Sequence, residues 1–450
     1  MTIKENYLRA ASESLARLDN SYSYFPEEDT PVFVKGKGVR LYDPDGNEYL
    51  DMVSGYGALN QGHTHPKIVA SLLAQANRLT HTSATLSDVK VELAEKLATL
   101  SPIPNTKVHF DLGGARVVEG AKILTRAYTG KSKVISFQNS FHGRSTGSLS
   151  LYNADTFQHL FNSPRDYYSA PYPYCYRCPV GLKKESCNFE CLKGVYEILD
   201  NNNDIGGIIV EPALGARGYI VPPKGFFKKL RRICDKYGLL FIDDEIQMGL
   251  GRLGTMFACE YYETVPDIIL LSKSIAGGMW PLSVILGRKE IMERIRPGTL
   301  GSTFAGAPLG CAAGLAAIEV IEEEKLCERS RDLGVYFMEK LNERFSEYSI
   351  VGNIDGIGLG IGIELVLPNG EPATEEAQML QLTALRNGLL LQRGGPAKNI
   401  INLIPALVIT KSEIDEAIDR IEENLIKVLH EPEIIEHISS VKSSSDSEVV

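Results

Sequence analysis

The sequence predicts an α/β protein whose large domain holds a mostly parallel sheet with helices on both faces. Strand and helix patterns alternate from Pro66 onward, which is typical of parallel βαβ units. Two strand patterns are apolar throughout and end in charge, as expected for strands covered on both faces. Long helical patterns and short strands after about Pro297 predict a second, smaller α+β domain.

The elements are expected in the following order. Residues 5–19 have a helical pattern, and an arm containing tyrosine and proline leads to Pro31. The turn sequence Asp43-Pro44-Asp45-Gly46 predicts a hairpin between two short strands within residues 32–51. Strands are then predicted over 108–111, 134–137, 207–211, 239–243, 268–271 and 283–286, with helices between them. Later helices are predicted over 307–321, onward to residue 344, and over 411–429.

Chain length supports a division into domains, because 450 residues exceed what one hydrophobic core usually covers. Residues 1–60 are expected to form an N-terminal helix, arm and hairpin that pack with the small domain. Residues 61–297 form the large α/β domain and residues 298–436 the small α+β domain. The tail, residues 437–450, is rich in serine and charge and is predicted to be disordered.

Composition and charge exclude several classes of protein. Hydrophobic residues make up 44% of the chain, which supports a sizeable core. A net charge of −10 and a pI near 5.5 argue against nucleic-acid binding, which requires basic patches. The chain has no apolar run of roughly 18 residues, and its first residues lack the apolar region of a secretory signal. We therefore expect a cytoplasmic protein without a membrane partner.

Two apolar strands carry the residues that indicate function. The first is followed by Asp244 and the second leads into Lys273. Because ligands bind at the carboxyl ends of strands in α/β sheets, this carboxylate and this amine should meet at one edge of the sheet. A Schiff-base lysine and a carboxylate beside a ring nitrogen are the groups that pyridoxal 5'-phosphate (PLP) requires. The sequence therefore predicts a PLP site at this edge.

The segments around these residues resemble the signature of the class III PLP-dependent aminotransferases. The matching motifs are Asp244-Glu-Ile-Gln-Met-Gly-Leu-Gly-Arg-Leu-Gly254, Pro266-Asp-Ile-Ile269 and Ser272-Lys-Ser-Ile-Ala-Gly-Gly278. Further matches follow in the family's order at 62–66, 127–130, 141–144, 211–212 and 301–304. The resemblance covers about residues 20–430 and implies the fold type I of PLP-dependent transferases, with a seven-stranded-type central sheet. Residues 54–62 and 277–281 are similar to the ornithine aminotransferase branch.

The resemblance implies roles for residues around the cofactor. Lys273 would form the Schiff base and later move a proton of the substrate. Asp244 would keep the pyridine nitrogen protonated, which makes the ring an electron sink. Only one residue of the Asp-Asp pair can do so, because consecutive strand residues point to opposite faces. Gln247 would bond the phenolic oxygen, Phe141 would stack on the ring, and His142 is expected among the cofactor contacts.

The cofactor phosphate is expected at the N-terminus of a helix. Gly113, Gly114 and Ala115 precede this helix and offer free backbone N–H groups. The family has hydroxyl residues here, and Arg116 replaces an acidic residue, so either weaker PLP binding or compensation by this arginine is expected. By resemblance, Thr303 donates to the phosphate of the neighbouring subunit. This implies a homodimer with the active site at the interface.

The substrate site departs most from the family. Asn402 replaces an arginine that grips the substrate α-carboxylate, and asparagine has no charge for that contact. Glu211 is present; the resemblance implies that its carboxylate masks the arginine that this chain lacks. Arg217 and Arg393 are additional cations that either bind a carboxylate or remain solvated in loops. Weak use of 2-oxoglutarate, or a substrate whose reacting carbon bears no carboxylate, is expected. Tyr24, Tyr56 and Arg144 match the ornithine aminotransferase pocket loosely.

These features predict an aminotransferase that moves an amino group from an amine, diamine or ω-amino acid to a keto acid or aldehyde. An amino-acid racemase or epimerase is the alternative, because Lys273 and Asp244 would serve both reactions. The requirement for an amino acceptor distinguishes them. A non-catalytic relative is suggested by the altered phosphate loop, but the joint presence of the two residues with Gln247 and Thr303 argues against it.

Four of the eight cysteines are close in the sequence, at Cys175, Cys178, Cys187 and Cys191. Disulfides are not expected in a cytoplasmic chain. The spacing permits a small metal site. The second pair lacks the common two-residue separation, however, so the sequence favours an aromatic-rich surface loop with reduced thiols. No metal is predicted.

Overall fold

Three β-sheets organise the chain in a computed structural model that describes residues 31–83, 85–151 and 167–431. The helix predicted over 5–19, the arm up to residue 30 and the tail predicted over 437–450 lie outside the described residues. The strands are β1 (Lys35–Lys37), β2 (Arg40–Tyr42), β3 (Glu48–Asp51), β4 (Thr106–Asp111), β5 (Lys133–Phe137), β6 (Tyr167–Ala170), β7 (Ile205–Val210), β8 (Leu240–Asp244), β9 (Ile268–Leu271), β10 (Ser283–Arg288), β11 (Val351–Ile357), β12 (Gly360–Leu365), β13 (Leu389–Leu390), β14 (Gln392–Gly394) and β15 (Ile400–Leu403).

The helices lie between these strands and at the C-terminal end of the described chain. They are α1 (Pro66–Ala76), α2 (Asp88–Leu100), α3 (Gly114–Thr129), α4 (Thr146–Leu149), α5 (Lys193–Asn201), α6 (Phe226–Tyr237), α7 (Ala258–Tyr261), α8 (Lys289–Met292), α9 (Pro308–Glu323), α10 (Leu326–Phe345), α11 (Thr374–Arg386) and α12 (Lys411–Leu429). Within the described ranges, no helix is both long and apolar enough to cross a membrane.

The central sheet has seven strands in the order β4-β10-β9-β8-β7-β5-β6. Each of the six strands predicted between residues 108 and 286 is present, with ends that differ by at most two residues. The edge strand β6 was not predicted, because its sequence Tyr-Tyr-Ser-Ala has no continuous apolar run and only one neighbouring strand to pair with.

Strand β10 runs antiparallel to both of its neighbours, whereas β9, β8, β7, β5 and β6 pair in parallel. The physical reason is the short connection from β9, residues 272–282, which contains one 3₁₀ turn and no crossover helix. Parallel strands need a connection of about a dozen residues or more, usually a helix. The sheet is therefore mixed but mostly parallel, which confirms the predicted fold class.

Both faces of the central sheet are covered. Helix α3 packs on one face, where its apolar residues meet Ile268 and Leu270 of β9. The alternate residues Ile269 and Leu271 belong to the core on the other face, together with apolar residues of α9. This two-sided burial is the reason that β8 and β9 are apolar along their length, as in parallel strands generally.

The chain also forms two smaller sheets of four strands each. The first contains β1, β2, β3 and β13, and the predicted turn at Asp43 joins β2 to β3. The prediction of two strands in this region was wrong by one, since β1 extends the hairpin. The second sheet is antiparallel, in the order β11-β12-β15-β14. Strand β13 comes from the C-terminal part of the chain but pairs with β3 in the N-terminal sheet. The predicted domain boundaries stay predictions.

A fully buried arginine ties distant segments together. Arg252 donates from Nη1 to the carbonyls of Leu359, at 2.8 Å, and Pro405, at 2.6 Å. Its Nη2 donates to the Asn60 side chain at 2.5 Å. Burial lowers the pKa of this guanidinium to about 10. Carbonyl and amide dipoles therefore stabilise a cation that lies away from water.

Candidate active site

The carboxyl ends of β8 and β9 bring the two key residues to one edge of the central sheet. Asp244 is the last residue of β8 and lies opposite Leu270 of β9. Lys273 follows β9 by two residues and begins the 3₁₀ turn Lys273–Ala276. Its backbone has a left-handed φ of 48°, which is uncommon for a residue with a side chain. The turn thus holds the lysine directly beyond the strand end.

Asp244 forms a buried pair with His142. The distance between His142 Nδ1 and Asp244 Oδ2 is 2.6 Å, and the backbone N–H of Ile246 donates to Oδ1 at 3.2 Å. Burial by itself lowers the pKa of the histidine, but the hydrogen bond and charge of the aspartate outweigh it, so the pKa is raised. Within the described residues, Nε2 of the histidine has no hydrogen-bond partner.

Lys273 is held in a form that can act as a base. Burial lowers the pKa of its amine to about 8, although the negative charges of Glu211 and Asp244 oppose this shift. The buried cation Arg252 adds to the lowering. A lysine with this pKa has a substantial neutral fraction near physiological pH, which an ordinary lysine lacks.

Glu211 supports the loop that carries Phe141. Its Oε1 accepts the backbone N–H of Phe141 at 2.7 Å, and its Oε2 accepts that of Gly215 at 3.3 Å. Burial raises the pKa of this carboxyl to about 7; His142 lowers it and Asp244 raises it. Glu211 therefore joins two backbone segments beside the lysine.

Gln247 lies between two loops. Its Nε2 donates to the carbonyl of Tyr56 at 2.9 Å, and Tyr56 itself has a left-handed φ of 60° in the short turn Ser54–Gly57. A Cβ at Gly215 would be 2.1 Å from Oε1 of the glutamine, so the glycine is required for this close approach. Sequence reasoning did not foresee these contacts.

The N-terminus of α3 faces open space. Gly113 precedes the helix with an extended φ of −154°, and a Cβ added there would meet no atom within 4 Å. A Cβ at Gly114 would lie 3.1 Å from Ile246, the residue that bonds Asp244. Ala115 lies close to Gly143, next to His142 in the sequence. The helix end therefore has open space at Gly113 and lies beside the residues that contact the aspartate.

Arg116, on the same helix end, is engaged by carboxylates. Its Nη1 lies 3.0 Å from Glu119, and its Nε lies 3.8 Å from Asp111. Burial alone would raise the pKa of the Asp111 carboxyl, but the neighbouring His109, the backbone N–H of Leu112 and the charge of Arg116 contribute to a net lowering. Compensation of the altered phosphate loop by Arg116 would require it to leave these partners.

Four cations converge near the candidate substrate pocket. Burial lowers the pKa of Lys398, and the positive charges of Arg217, Arg393 and Arg144 lower it further. Arg217 is 8% exposed and donates to the carbonyl of Gly395 at 3.4 Å. Arg393 donates to Gln381 at 3.0 Å, and the Arg144 guanidinium lies 5.7 Å from the centre of the Phe141 ring. We call Arg144, Arg217, Arg393 and Lys398 the cationic cluster.

Lys398 was missed by sequence reasoning, because it stands in no motif and only the fold brings it to the arginines. Asn402 follows on β15 and is fully buried. In the described part of the chain, neither its amide nitrogen nor its amide oxygen has a partner. A Cβ at Gly394, beside Arg393, would lie 2.5 Å from that nitrogen. The asparagine thus borders the strand that contributes to the cluster.

The remaining predicted residues lie apart or outside the described chain. Thr303 is exposed, and its carbonyl accepts from His81 Nε2 at 3.0 Å. Tyr24 lies outside the described residues. Asp243, the neighbour of Asp244, points away to Glu245 and Cys259, whose ligand-type atoms lie within 4.8 Å of its own.

The arrangement fits PLP. A helix end with open space can receive the phosphate, a buried carboxylate is fixed by His142, and Lys273 supplies an amine with a lowered pKa. A model of the aminotransferase class-III family matches residues 24–425. The chain belongs to the class III aminotransferases.

Relatives of this aminotransferase have related activities. A probable 4-aminobutyrate aminotransferase of Bacillus subtilis (strain 168) is 37% identical over 402 residues, covering 87% of this chain and 92% of the relative. A leucine/methionine racemase of Thermococcus litoralis is 36% identical over 409 residues, covering 88% and 91%. The structure of an ornithine aminotransferase from Toxoplasma gondii ME49 matches with a TM-score of 0.82 at 28% identity, covering 95% of this chain and 96% of that chain.

The predicted family, fold type I, cofactor and reaction class are thereby confirmed: the chain is a PLP-dependent aminotransferase that acts on amine and keto-acid substrates. The likeness to ornithine aminotransferases is also confirmed. The racemase alternative has weaker support, since the matching family model is that of aminotransferases.

The lowered pKa of Lys273 predicts a distinct pH dependence of its reactivity. In cofactor-free protein, reductive methylation of this amine by a small aldehyde should rise with pH and be half-maximal near pH 8, because only the neutral amine is a nucleophile. Lys340, whose pKa is raised by its hydrogen bond to Glu343, is the control and should react only at higher pH. Peptide mass mapping would measure both rates; identical profiles would contradict the prediction.

Proposed function

We propose that Lys273 is the attachment point of PLP and the proton carrier of the transamination. The observation that carries this proposal is the position of Lys273 just beyond the end of β9, at the same sheet edge as Asp244, which ends β8 and is fixed by His142. Bound PLP supplies an electron sink that takes up the electron pair released at the reacting carbon of the substrate. The neutral amine of Lys273 takes the proton from that carbon and returns it at the next position.

Asp244 holds the proton on the pyridine nitrogen in this proposal. His142 positions Asp244 through the hydrogen bond at Nδ1, so the histidine acts on the cofactor only through the aspartate. Glu211 fixes the backbone of Phe141, which would place that ring against the cofactor face. Gln247, Gly113, Gly114 and Ala115 are proposed as further cofactor contacts, from an amide and from the backbone N–H groups at the helix end.

We further propose that the amino donor is an ω-amino acid whose carboxylate binds the cationic cluster. Burial lowers the pKa of both Lys398 and Arg217, and the charge of Arg217 lowers that of Lys398 further, so a bound carboxylate would favour the charged form of both groups. The carboxylate would then lie far from the reacting carbon, because the family arginine position is occupied by the uncharged Asn402. The similarity to a 4-aminobutyrate aminotransferase agrees with such a donor.

The loop over residues 211–218 connects the two ends of this proposed substrate site. Its first residue, Glu211, acts electrostatically on Lys273, and Arg217 near its end acts on Lys398. Gly215 between them lies against Gln247. A chain of a few methylene groups between an amine and a carboxylate would follow this loop.

A racemase acting through the same lysine remains the second candidate, because of the similarity to the leucine/methionine racemase. It would need no amino acceptor, and acceptor-independent exchange with inversion of an amino acid would favour it over transamination.

We also propose a homodimer in which Thr303 contributes to the partner's phosphate site. Thr303 and Phe304 are exposed, and Phe304 is a large apolar residue that is 49% exposed. Burial of such a residue in an interface would be favourable. The dimer and the cytoplasmic location stay predictions.

Asp244→Asn should lower kcat by about 10² to 10³, roughly 3–4 kcal/mol, because the ring nitrogen loses its charged partner. Asp243→Asn is the matched control. Burial and the neighbouring Glu245 raise the pKa of Asp243 well above its usual value, and an amide matches the shape of the carboxyl group it replaces. Both variants are compared at saturating PLP; equal losses in the two would contradict the proposed role of Asp244.

Arg217→Gln should reduce kcat/KM for 4-aminobutyrate by about tenfold or more, which corresponds to ~1.4 kcal/mol, while kcat/KM for butylamine changes little. Lys398→Gln should behave alike, and Lys340→Gln, on the surface, should affect neither substrate. The ratio of the two kcat/KM values is the measurement. A parallel loss for amine and amino acid would mean that the cationic cluster does not bind the carboxylate.

Hybrid dimers test the position of Thr303. Lys273→Ala and Thr303→Ala protein are mixed, dissociated and reassociated, and activity is measured at limiting PLP. If the threonine acts across the interface, hybrids contain one intact site, and the mixture should reach about a quarter of parental activity. No gain over the unmixed Thr303→Ala protein, or full activity in a monomer by sedimentation, would disprove the shared site.

A further inference from the structure

The segment between β6 and α5 gathers four thiols that aminotransferase chemistry does not use. Cys175 and Cys178 lie in the loop after β6, Cys187 follows the 3₁₀ turn Lys184–Ser186, and Cys191 lies in the 3₁₀ turn Glu190–Leu192. The two turns bend the chain back, so that the second pair of cysteines returns to the first.

All four thiols line one cavity of about 310 Å³. Burial raises the pKa of the Cys191 thiol to about 11, and Cys187, Cys175 and Cys178 each add to the shift. Cys175 likewise has a raised pKa, from burial first and then from Cys178 and Cys187, which Lys184 opposes. The lining of one cavity therefore brings the four cysteines together, as would not be expected of four unrelated loop cysteines.

Ordinary packing does not account for this arrangement. Cys234, in α6, is fully buried in an apolar core, which is where an unreactive cysteine is expected. Cys175, Cys178 and Cys187 are instead only partly buried, and they lie in a segment without strands or α-helices. Such a segment has little apolar burial of its own to stabilise its course.

We propose that Cys175, Cys178, Cys187 and Cys191 bind one zinc ion as a four-thiolate structural site. The separations within the pairs are two and three residues, and both fall in the range of two to four that zinc sites use. Four ligands leave no open position for catalysis. The predicted absence of a metal, which rested on the second spacing alone, is replaced by this proposal.

Charge balance supports zinc over free thiolates. A zinc ion with four thiolates carries a net charge of −2, and Lys184 and Lys224 both line the same cavity. Binding requires the thiols to be deprotonated, and the ion itself makes that favourable. The electron count and redox state do not change, since the zinc ion displaces only protons.

The site is completed only when the cysteine side chains move closer together. Zinc–sulfur bonds of about 2.3 Å place the sulfurs of a tetrahedral site roughly 3.8 Å apart. Among the described residues, the trio of possible ligand atoms already within 4.8 Å of one another belongs to Asp243, Glu245 and Cys259. The cysteine sulfurs must therefore rotate toward the cavity centre when zinc binds. The trio itself is committed elsewhere, because Glu245 accepts the backbone N–H groups of Ala258 and Cys259.

The segment that contains the four cysteines, residues 175–191, and its neighbouring residues also contact the antiparallel sheet of β11, β12, β15 and β14. Tyr174 and Arg177, on either side of Cys175, both bond the buried carboxylate of Glu364 on β12. Asn399, which precedes β15, donates to the backbone of Leu365 beside it at 2.8 Å. Zinc would thus stabilise a loop that joins the central sheet to the sheet carrying Asn402.

The experiment measures metal content in the full-length PLP-loaded enzyme, purified without a metal-affinity step. We expect about one zinc per chain by elemental analysis, and close to none in the double variant Cys187→Ser/Cys191→Ser. The control variant Cys327→Ser removes a partly buried thiol outside the loop and should retain the zinc. Should the double variant fail to fold, cobalt exchange into the parent provides the second readout, through the visible absorption of tetrahedral cobalt thiolate.

Four results would overturn the proposal. They are parent protein with four freely titrating thiols and no zinc, a mass that shows disulfides among these cysteines, stoichiometric zinc that persists in a folded Cys187→Ser/Cys191→Ser variant, and iron in place of zinc. Because every readout is metal content, thiol titration, mass or cobalt absorption, the outcome is independent of the aminotransferase assay.

Discussion

The hydrogen bond between His142 and Asp244 is the interaction on which the rest of the candidate site depends. A carboxylate that is almost wholly buried needs a partner, and the histidine provides it at 2.6 Å. Asp244 in turn raises the pKa of both Lys273 and Glu211. Burial of the lysine then becomes tolerable because two carboxyl groups oppose the loss of its charge. The lowered but not abolished basicity of the amine follows from this balance.

Much of the fold could be predicted because strand ends coincide with changes of chemistry. The run Ile268–Leu271 is bounded by Asp267 and Ser272, and its observed limits equal the predicted ones. The direction of β10 could not be obtained from periodicity, which is the same for parallel and antiparallel strands. It depends on the length of the connection from β9. Strand β6 was not predicted because it is defined by its pairing with β5 at the sheet edge and not by an apolar run.

The candidate site was predictable only where local sequence carries the chemistry. Asp244 and Lys273 stand at the ends of recognisable strands, so their meeting at one edge followed from topology. Lys398 joins Arg217 through folding of loops almost two hundred residues apart in the chain, and no motif records that contact. The same holds for the four cysteines. Their spacing is evident from the sequence, whereas their convergence on one cavity depends on two short turns that the sequence did not predict.

Strand β8 ends in two consecutive aspartates, Asp243 and Asp244. The residues at this end fix the register of β8 relative to the neighbouring strands. A slip by one residue would exchange the faces of Asp243 and Asp244 and still present a carboxylate to His142. Glu245, however, holds the N-terminus of α7 through Ala258 and Cys259, at 2.6 and 2.9 Å. Insertions or deletions within 240–245 should therefore be rare among natural variants of this enzyme, and the loop before α7 should be as constant in length, because it carries the buried Arg252.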